Sequence, residues 1–225
     1  MIDVSSGSPP GLRERKKLRT RAVLVDAAVE LCLDRGYEQT TVEQIAASAG
    51  VSPRTFSRYF PTKDAVFLTL LEDYSEGVAV ELEAVPSHVG PIEAMRRAHV
   101  AFLTRVAERQ PGRLSSERIV LMQRVFNASE ALKRAASEFR HDVTAAVLAK
   151  RMGVPVDNRR VQLATMLFSA TIVNACGDLI ANTKTVRLGP NIMVDRINEA
   201  SKQVAAMTSD LQGPPTGDDY EPVYA

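Results

Sequence analysis

Apolar residues recur along this chain at spacings of three and four, and no stretch sustains alternation at spacing two. That pattern predicts helices and no sheet. From about 13 to 35 the stripe is Leu24, Ala27, Ala28, Leu31 and Cys32, with Gly36 as its stop. Thr40 and Glu43 fit a capping box that opens a short second helix, in which Val42, Ile45, Ala46 and Ala49 face inward. Gly50 ends it. Ser52 reads as the N-cap of a third helix, Pro53 suits its first position, and Val51 and Phe56 have the spacing of a hydrophobic staple. Pro61 closes that helix. Thr62 caps a fourth, from 63 to about 83, with Val66, Leu70 and Tyr74 on one face. After a Pro/Gly loop at 85–91, helices read at about 92–109, 115–127, 130–152, 158–182 and 191–211. Asp157 is the expected cap of the 158–182 helix, and Gly153 with Pro155 and Gly213-Pro214-Pro215 are stops. The predicted fold class is all-α.

Composition narrows the class. The 225 residues suffice for one large domain or two small ones, and 45 % apolar with 24 % charged is ordinary for a globular protein. No apolar run reaches membrane-spanning length, and the opening MIDVSSGSPPG lacks the apolar core of a signal peptide. A cytoplasmic protein with no membrane partner is expected. Cys32 and Cys176 fall in amphipathic stretches and read as small core residues. His88, His99 and His141 are scattered, without the spacing of a metal site or a His-based triad, and no Gly-rich phosphate loop is present. No catalysis, metal or cofactor is expected.

Charge changes the picture at the two ends. Residues 11–21, GLRERKKLRTR, hold six basic residues (Arg13, Arg15, Lys16, Lys17, Arg19 and Arg21) against one acid, Glu14. A nucleic-acid arm and a solvated tail are both open readings of that block. The last eighteen residues hold four acids and no Lys or Arg. Residues 1–11 and 213–225 are expected to be disordered tails.

The second and third predicted helices, joined by a tight turn at Gly50, have the sequence form of a helix-turn-helix. In that unit the second helix enters the major groove with its N-terminal residues at base edges. Its chemistry agrees. Arg54, Arg58 and Lys63 supply positive charge, and Thr55, Ser57 and Tyr59 supply hydroxyls for phosphates or bases.

The run TTVEQIAASAGVSPRTFSRYFPTKDAV, preceded by RAVLVDAAVELCLDRGYEQTT, resembles the DNA-binding signature of the TetR family of bacterial repressors over roughly 18–70. The resemblance implies a helix-turn-helix domain at 12–62 and a helical ligand-binding and dimerisation domain at 63–212. It places Pro53, Arg54, Thr55 and Ser57 at base-facing positions and Thr41, Tyr59 and Lys63 at phosphate contacts. Arg58 suits either, and Phe56 and Phe60 match the core. Many members carry Gly or Ala where this chain has Arg54. Arg54 is therefore the candidate reader of a guanine, with a phosphate grip as the alternative. In this setting the basic block, with Arg13, Arg15, Lys16 and Lys17, becomes an arm preceding the first helix, for backbone or minor-groove contact.

For the C-terminal part the resemblance implies a homodimer that leaves a palindromic double-stranded DNA operator when a small effector binds. Ser169, Ala170, Thr171, Ala175, Cys176 and Gly177 suit close helix approach at a dimer seam, and Ile192, Ile197, Ala200, Val204 and Met207 suit its partner helix. Burial within one protomer is the other reading. Candidate pocket residues are Met95, His99, Phe102, Val106, Met122, Phe126, Phe139, Val143, Met166 and Val173, with Asn174 and His99 as polar interruptions. The same residues suit a plain core. A weaker likeness to an actinobacterial subgroup that includes mycofactocin-system regulators implies an acyl-CoA or another lipophilic effector. The alternative function is constitutive DNA binding by a chain whose C-terminal part only dimerises.

Overall fold

A computed structural model describes residues 11–128, 132, 134–136, 142–177 and 188–209. Every regular element among them is a helix: α1 (Leu12–Arg35), α2 (Val42–Ser48), α3 (Pro53–Tyr59), α4 (Lys63–Ala84), α5 (Pro91–Ala107), α6 (Ser116–Ala128), α7 (Asp142–Met152), α8 (Arg159–Gly177) and α9 (Pro190–Met207). The all-α expectation holds. Phe139 and both expected tails lie almost wholly outside the described residues, as do parts of the helices read at 130–152, 158–182 and 191–211.

Three caps near the N-terminus set short helices at fixed angles. Thr41 Oγ1 accepts from Gln44 N, and the Gln44 side chain accepts from Thr41 N at 3.1 Å, a reciprocal box. The box expected at Thr40 and Glu43 therefore sits one residue later. Thr40 is instead buried, its hydroxyl donating to Gly36 O at 2.8 Å. Ser52 Oγ accepts from Thr55 N at 3.1 Å, and Thr62 Oγ1 from Ala65 N at 3.2 Å, both as the sequence predicts. At α8 the cap also moves by one: Asn158 Oδ1, not Asp157, accepts from Arg160 N at 2.9 Å.

The turn between α2 and α3 is a Schellman motif. Gly50 N donates to Ala47 O at 3.0 Å and Val51 N to Ala46 O at 2.9 Å. Gly50 takes φ +66°, a left-handed conformation that costs an L side chain strain. Below this turn, Leu24, Ala28, Ile45, Phe56 and Phe60 form the small N-terminal core. Burying a side chain such as Phe56, 1 % exposed, stabilises by about 1.5–3 kcal/mol.

The long α4 joins the two halves. Its first turns pack on α1, and its length packs along α5 and α7. In turn α5 packs along α9, and α8 along α9. Two ion pairs tie α1 to the C-terminal helices: Arg21 to Glu72 at 2.9 Å, and Arg118 of α6 to Asp26. At the far end of α4, Arg151 of α7 donates to the carbonyls of Val85 and Pro86, the latter at 2.9 Å.

Candidate functional site

On α3 the chemistry divides by face. Phe56 is buried, as is Phe60 just past the helix. Pro53, Arg54, Ser57 and Arg58 are exposed, and Thr55 and Tyr59 are half-buried. The Ser57 hydroxyl donates back to Pro53 O at 3.1 Å, and Thr55 Oγ1 lies 3.0 Å from Ser52 Oγ. Arg54 has no ion pair among the described residues. Thr41, exposed at the start of α2, presents its side of the unit to the same surroundings.

The basic block forms the first turns of α1, which begins at Leu12, as the helix read from about 13 expects, and so is not a separate arm in front of that helix. Arg13, Arg15, Lys16, Lys17 and Arg19 are all exposed. This part of α1 lies beside the end of α3, with the Arg21 guanidinium 5.3 Å from the Phe60 ring centroid. A hydrogen bond with Thr20, with Arg58 and Lys17 close by, holds the Tyr59 phenol below its usual range. The Arg58 guanidinium lies 5.3 Å from the Tyr59 ring centroid. Lys17 and Arg58 thus share one surface edge, a meeting of two helices that no local motif announces. Thr20 carries no sequence signal for that reason.

Lys63 is placed differently from a free phosphate contact. Its ammonium donates to Tyr37 O at 2.8 Å and Thr40 O at 3.0 Å, and sits 3.8 Å from the Tyr37 ring centroid. The Tyr37 hydroxyl hydrogen-bonds Asp64. Lys63 therefore latches the α1–α2 loop to the start of α4, keeping at most one of its three donors for anything else.

Among the C-terminal candidates, Met95, His99, Phe102, Val106, Met122 and Phe126 are all buried in one interior. The structure adds Tyr74 of α4 and Phe168 of α8 to them. Tyr74 meets Phe102 edge-on at 5.2 Å between centroids and His99 at 5.7 Å, and His99 lies 4.7 Å from Phe168. His99 Nδ1 is 2.7 Å from Met95 O. The Tyr74 hydroxyl is buried with no hydrogen-bond partner among the described residues, and burial pushes its pKa up. An unpaired buried hydroxyl costs about 1–3 kcal/mol.

Met166, Asn174, Val143 and Val173 do not line that interior. Met166 is 69 % exposed, and the others are exposed as well. On α8 the residues Leu163, Met166, Leu167, Ala170, Val173 and Asn174 form one outward stripe at spacings of three and four. Ala175 and Ile197, expected at a dimer seam, are buried within the protomer.

A cleft of about 190 Å³ opens between α4, α5 and the loop that follows α5. Phe102, Gly77, Val80 and Val106 form its apolar wall, and Asp73, Glu76, Arg105 and Arg113 its mouth. Both arginines are already paired, Arg113 with Asp73 and Glu76, and Arg105 with Glu81 at 3.2 Å.

Comparison with known proteins bears on both halves. The pattern described as bacterial regulatory proteins of the tetR family matches residues 24–70. The HTH-type transcriptional regulator TcmR of Streptomyces glaucescens is 40 % identical over 159 residues, 68 % of this chain and 70 % of that protein. Among solved structures, FadR of Thermus thermophilus, a transcriptional repressor in complex with lauroyl-CoA, aligns over 90 % of this chain and 98 % of its own at TM-score 0.51 and 23 % identity. SmeT, repressor of a Stenotrophomonas maltophilia multidrug efflux pump, aligns over 90 % and 97 % at TM-score 0.51 and 18 % identity.

Proposed function

The chain belongs to the TetR family of bacterial regulatory proteins, DNA-binding transcriptional regulators rather than enzymes, and on that premise we propose a ligand-released homodimeric repressor. It acts in the cytoplasm on a palindromic operator. Its two α3 helices enter successive major grooves about 34–36 Å apart.

The single observation that carries the DNA half is the exposed face of α3. Arg54, Ser57 and Arg58 point away from a core that Phe56 and Phe60 hold. Arg54 reads a guanine through O6 and N7, with Pro53, Thr55 and Ser57 at neighbouring base edges. Thr41, Tyr59 and Arg58 contact phosphates. Lys63 serves there chiefly by fixing the loop before α2. Arg13, Arg15, Lys16 and Lys17 reach the flanking backbone from the start of α1.

The dimer forms through the outward stripe of α8, Leu163, Met166, Leu167, Ala170 and Val173, together with Met207 of α9, which is 70 % exposed. Four helices meeting across a two-fold axis would bury these side chains. The effector is small and lipophilic, taken up among α4, α5, α6 and α8. FadR of Thermus thermophilus holds lauroyl-CoA, and an acyl-CoA is one candidate here. The cleft mouth has as many acids (Asp73, Glu76) as bases (Arg105, Arg113), and Arg113 pairs with both carboxylates, so it offers no excess positive charge for a polyphosphate and suits a neutral molecule.

Binding of the upstream DNA by wild type and Arg54→Ala, across single-base operator variants, tests the reading. A loss of about 1–3 kcal/mol, with specificity relaxed at one position, is expected. Uniform weakening with no position relaxed overturns base reading by Arg54. Operator binding that no lipophilic compound weakens favours a constitutive regulator.

A further inference from the structure

The effector cleft described above ends at a ring. Phe102 forms part of its wall and, on its other side, meets Tyr74 edge-on at 5.2 Å. The ring lies where a side chain at position 77 would be. A Cβ built on Gly77 would stand 2.1 Å from Phe102 Cε2, so glycine at this point of α4 is what lets the ring rest there. Tyr74, packed against this ring, is 5 % exposed, and its hydroxyl has no hydrogen-bond partner among the described residues. Three more rings or soft side chains surround the place: His99, Phe168 and Met95, all buried.

We propose that Phe102 is a gate, and that the effector is a flat, neutral, ring-bearing molecule whose acceptor oxygen takes a hydrogen bond from Tyr74 Oη. This rests on the ligand-released reading above and deepens it. The 190 Å³ cleft alone is smaller than most small-molecule sites. Swinging Phe102 away from Gly77 lengthens it to Tyr74. The ligand then stacks against aromatic neighbours, which favour offset and edge-on ring contacts. The donor inside discriminates strongly, because a ligand lacking the acceptor leaves the hydroxyl as unpaired as before. At the mouth, Arg113 pairs with both Asp73 and Glu76, so no net positive charge is left there to hold an anionic tail.

The test uses a matched pair, 9-fluorenone and fluorene, which share a tricyclic frame and differ by the ketone oxygen. Calorimetry on the full-length protein without DNA measures both, in wild type, Tyr74→Phe and Phe102→Ala. Wild type is expected to bind fluorenone about tenfold tighter than fluorene, and Tyr74→Phe to erase that preference while binding fluorene unchanged. Phe102→Ala should speed association of both. Equal binding of the pair by wild type, no binding of either, or an intact preference in Tyr74→Phe each overturns the proposal. A parallel operator-binding assay separates the two levels. Release by lauroyl-CoA without fluorenone binding sinks the gate and leaves the regulator standing. Failure to bind operator sinks the regulator, while the calorimetry still judges the site.

Discussion

Tyr74 burdens the unliganded protein. Its hydroxyl is buried and unpaired among the described residues, so deleting it should help the fold. Tyr74→Phe is expected to stabilise by about 1 kcal/mol, which raises the melting temperature by about 2–4 °C in a chain of this size. Thermal unfolding followed by circular dichroism reads it, and a lower melting temperature would show that the hydroxyl has a partner in solution. Residue roles are legible in the sequence where a side chain's setting is local. The outward faces of Arg54, Ser57 and Arg58 follow from the helical period around Phe56 alone. Roles set by distant neighbours are not. Lys63 follows a recognisable motif, yet its ammonium is engaged by carbonyls more than twenty residues earlier. Met166 and Asn174 show the same limit. Periodicity groups them on one stripe with Leu163 and Leu167, but it does not say whether that stripe meets the interior or the outside.

At the scale of elements, the α2–α3 unit depends on one left-handed residue. Gly50→Ala must hold φ near +66°, a strain of about 1–2 kcal/mol, and should lower the melting temperature accordingly. Because the Schellman bonds set the angle of α3, operator affinity should fall further than the loss of stability alone accounts for. Unchanged operator affinity in a folded Gly50→Ala protein would show that the turn tolerates another geometry. The capping signals around this unit are legible almost to the residue, and the one slip is instructive. Thr40 and Thr41 stand before Glu43 and Gln44, so two capping boxes of equal spacing compete. The outcome is settled by Thr40 being drawn inward to Gly36 O, leaving Thr41 to cap. The basic block poses a similar problem. Its charge suggests an arm, while its helix-forming residues Leu12, Arg13, Lys16 and Lys17 extend α1 by further turns.

In the whole molecule, two routes join the cleft to the DNA-facing half. One is α4 itself. The other runs through Arg118, which pairs with Asp26 of α1 and also donates to Arg113 O at the cleft mouth, at 3.4 Å. Arg118→Met is expected to leave unliganded operator affinity nearly unchanged and to reduce the fold-release caused by bound fluorenone. A release ratio equal to that of wild type would assign the coupling to α4 alone. The electrostatic half has its own measure. Lys16→Gln with Lys17→Gln should reduce the slope of log affinity against log salt by about 0.9 for each phosphate no longer neutralised. An unchanged slope would place these lysines away from the backbone. The α4 route is legible in the local pattern that predicts the helix, whereas the Arg118 route is not, since its pair lies 92 residues apart.

The outward stripe of α8 has a consequence for the cell's arithmetic. On the proposal that two copies join through Leu163, Met166, Leu167 and Val173, the operator does not fill in proportion to the protein's abundance. Below the dimer's dissociation constant, the DNA-competent species grows as the square of the protomer concentration. Halving expression then cuts that species about fourfold. On that proposal, a substitution on this face, such as Met166→Glu, is expected to act like a change in gene dosage without touching DNA or effector.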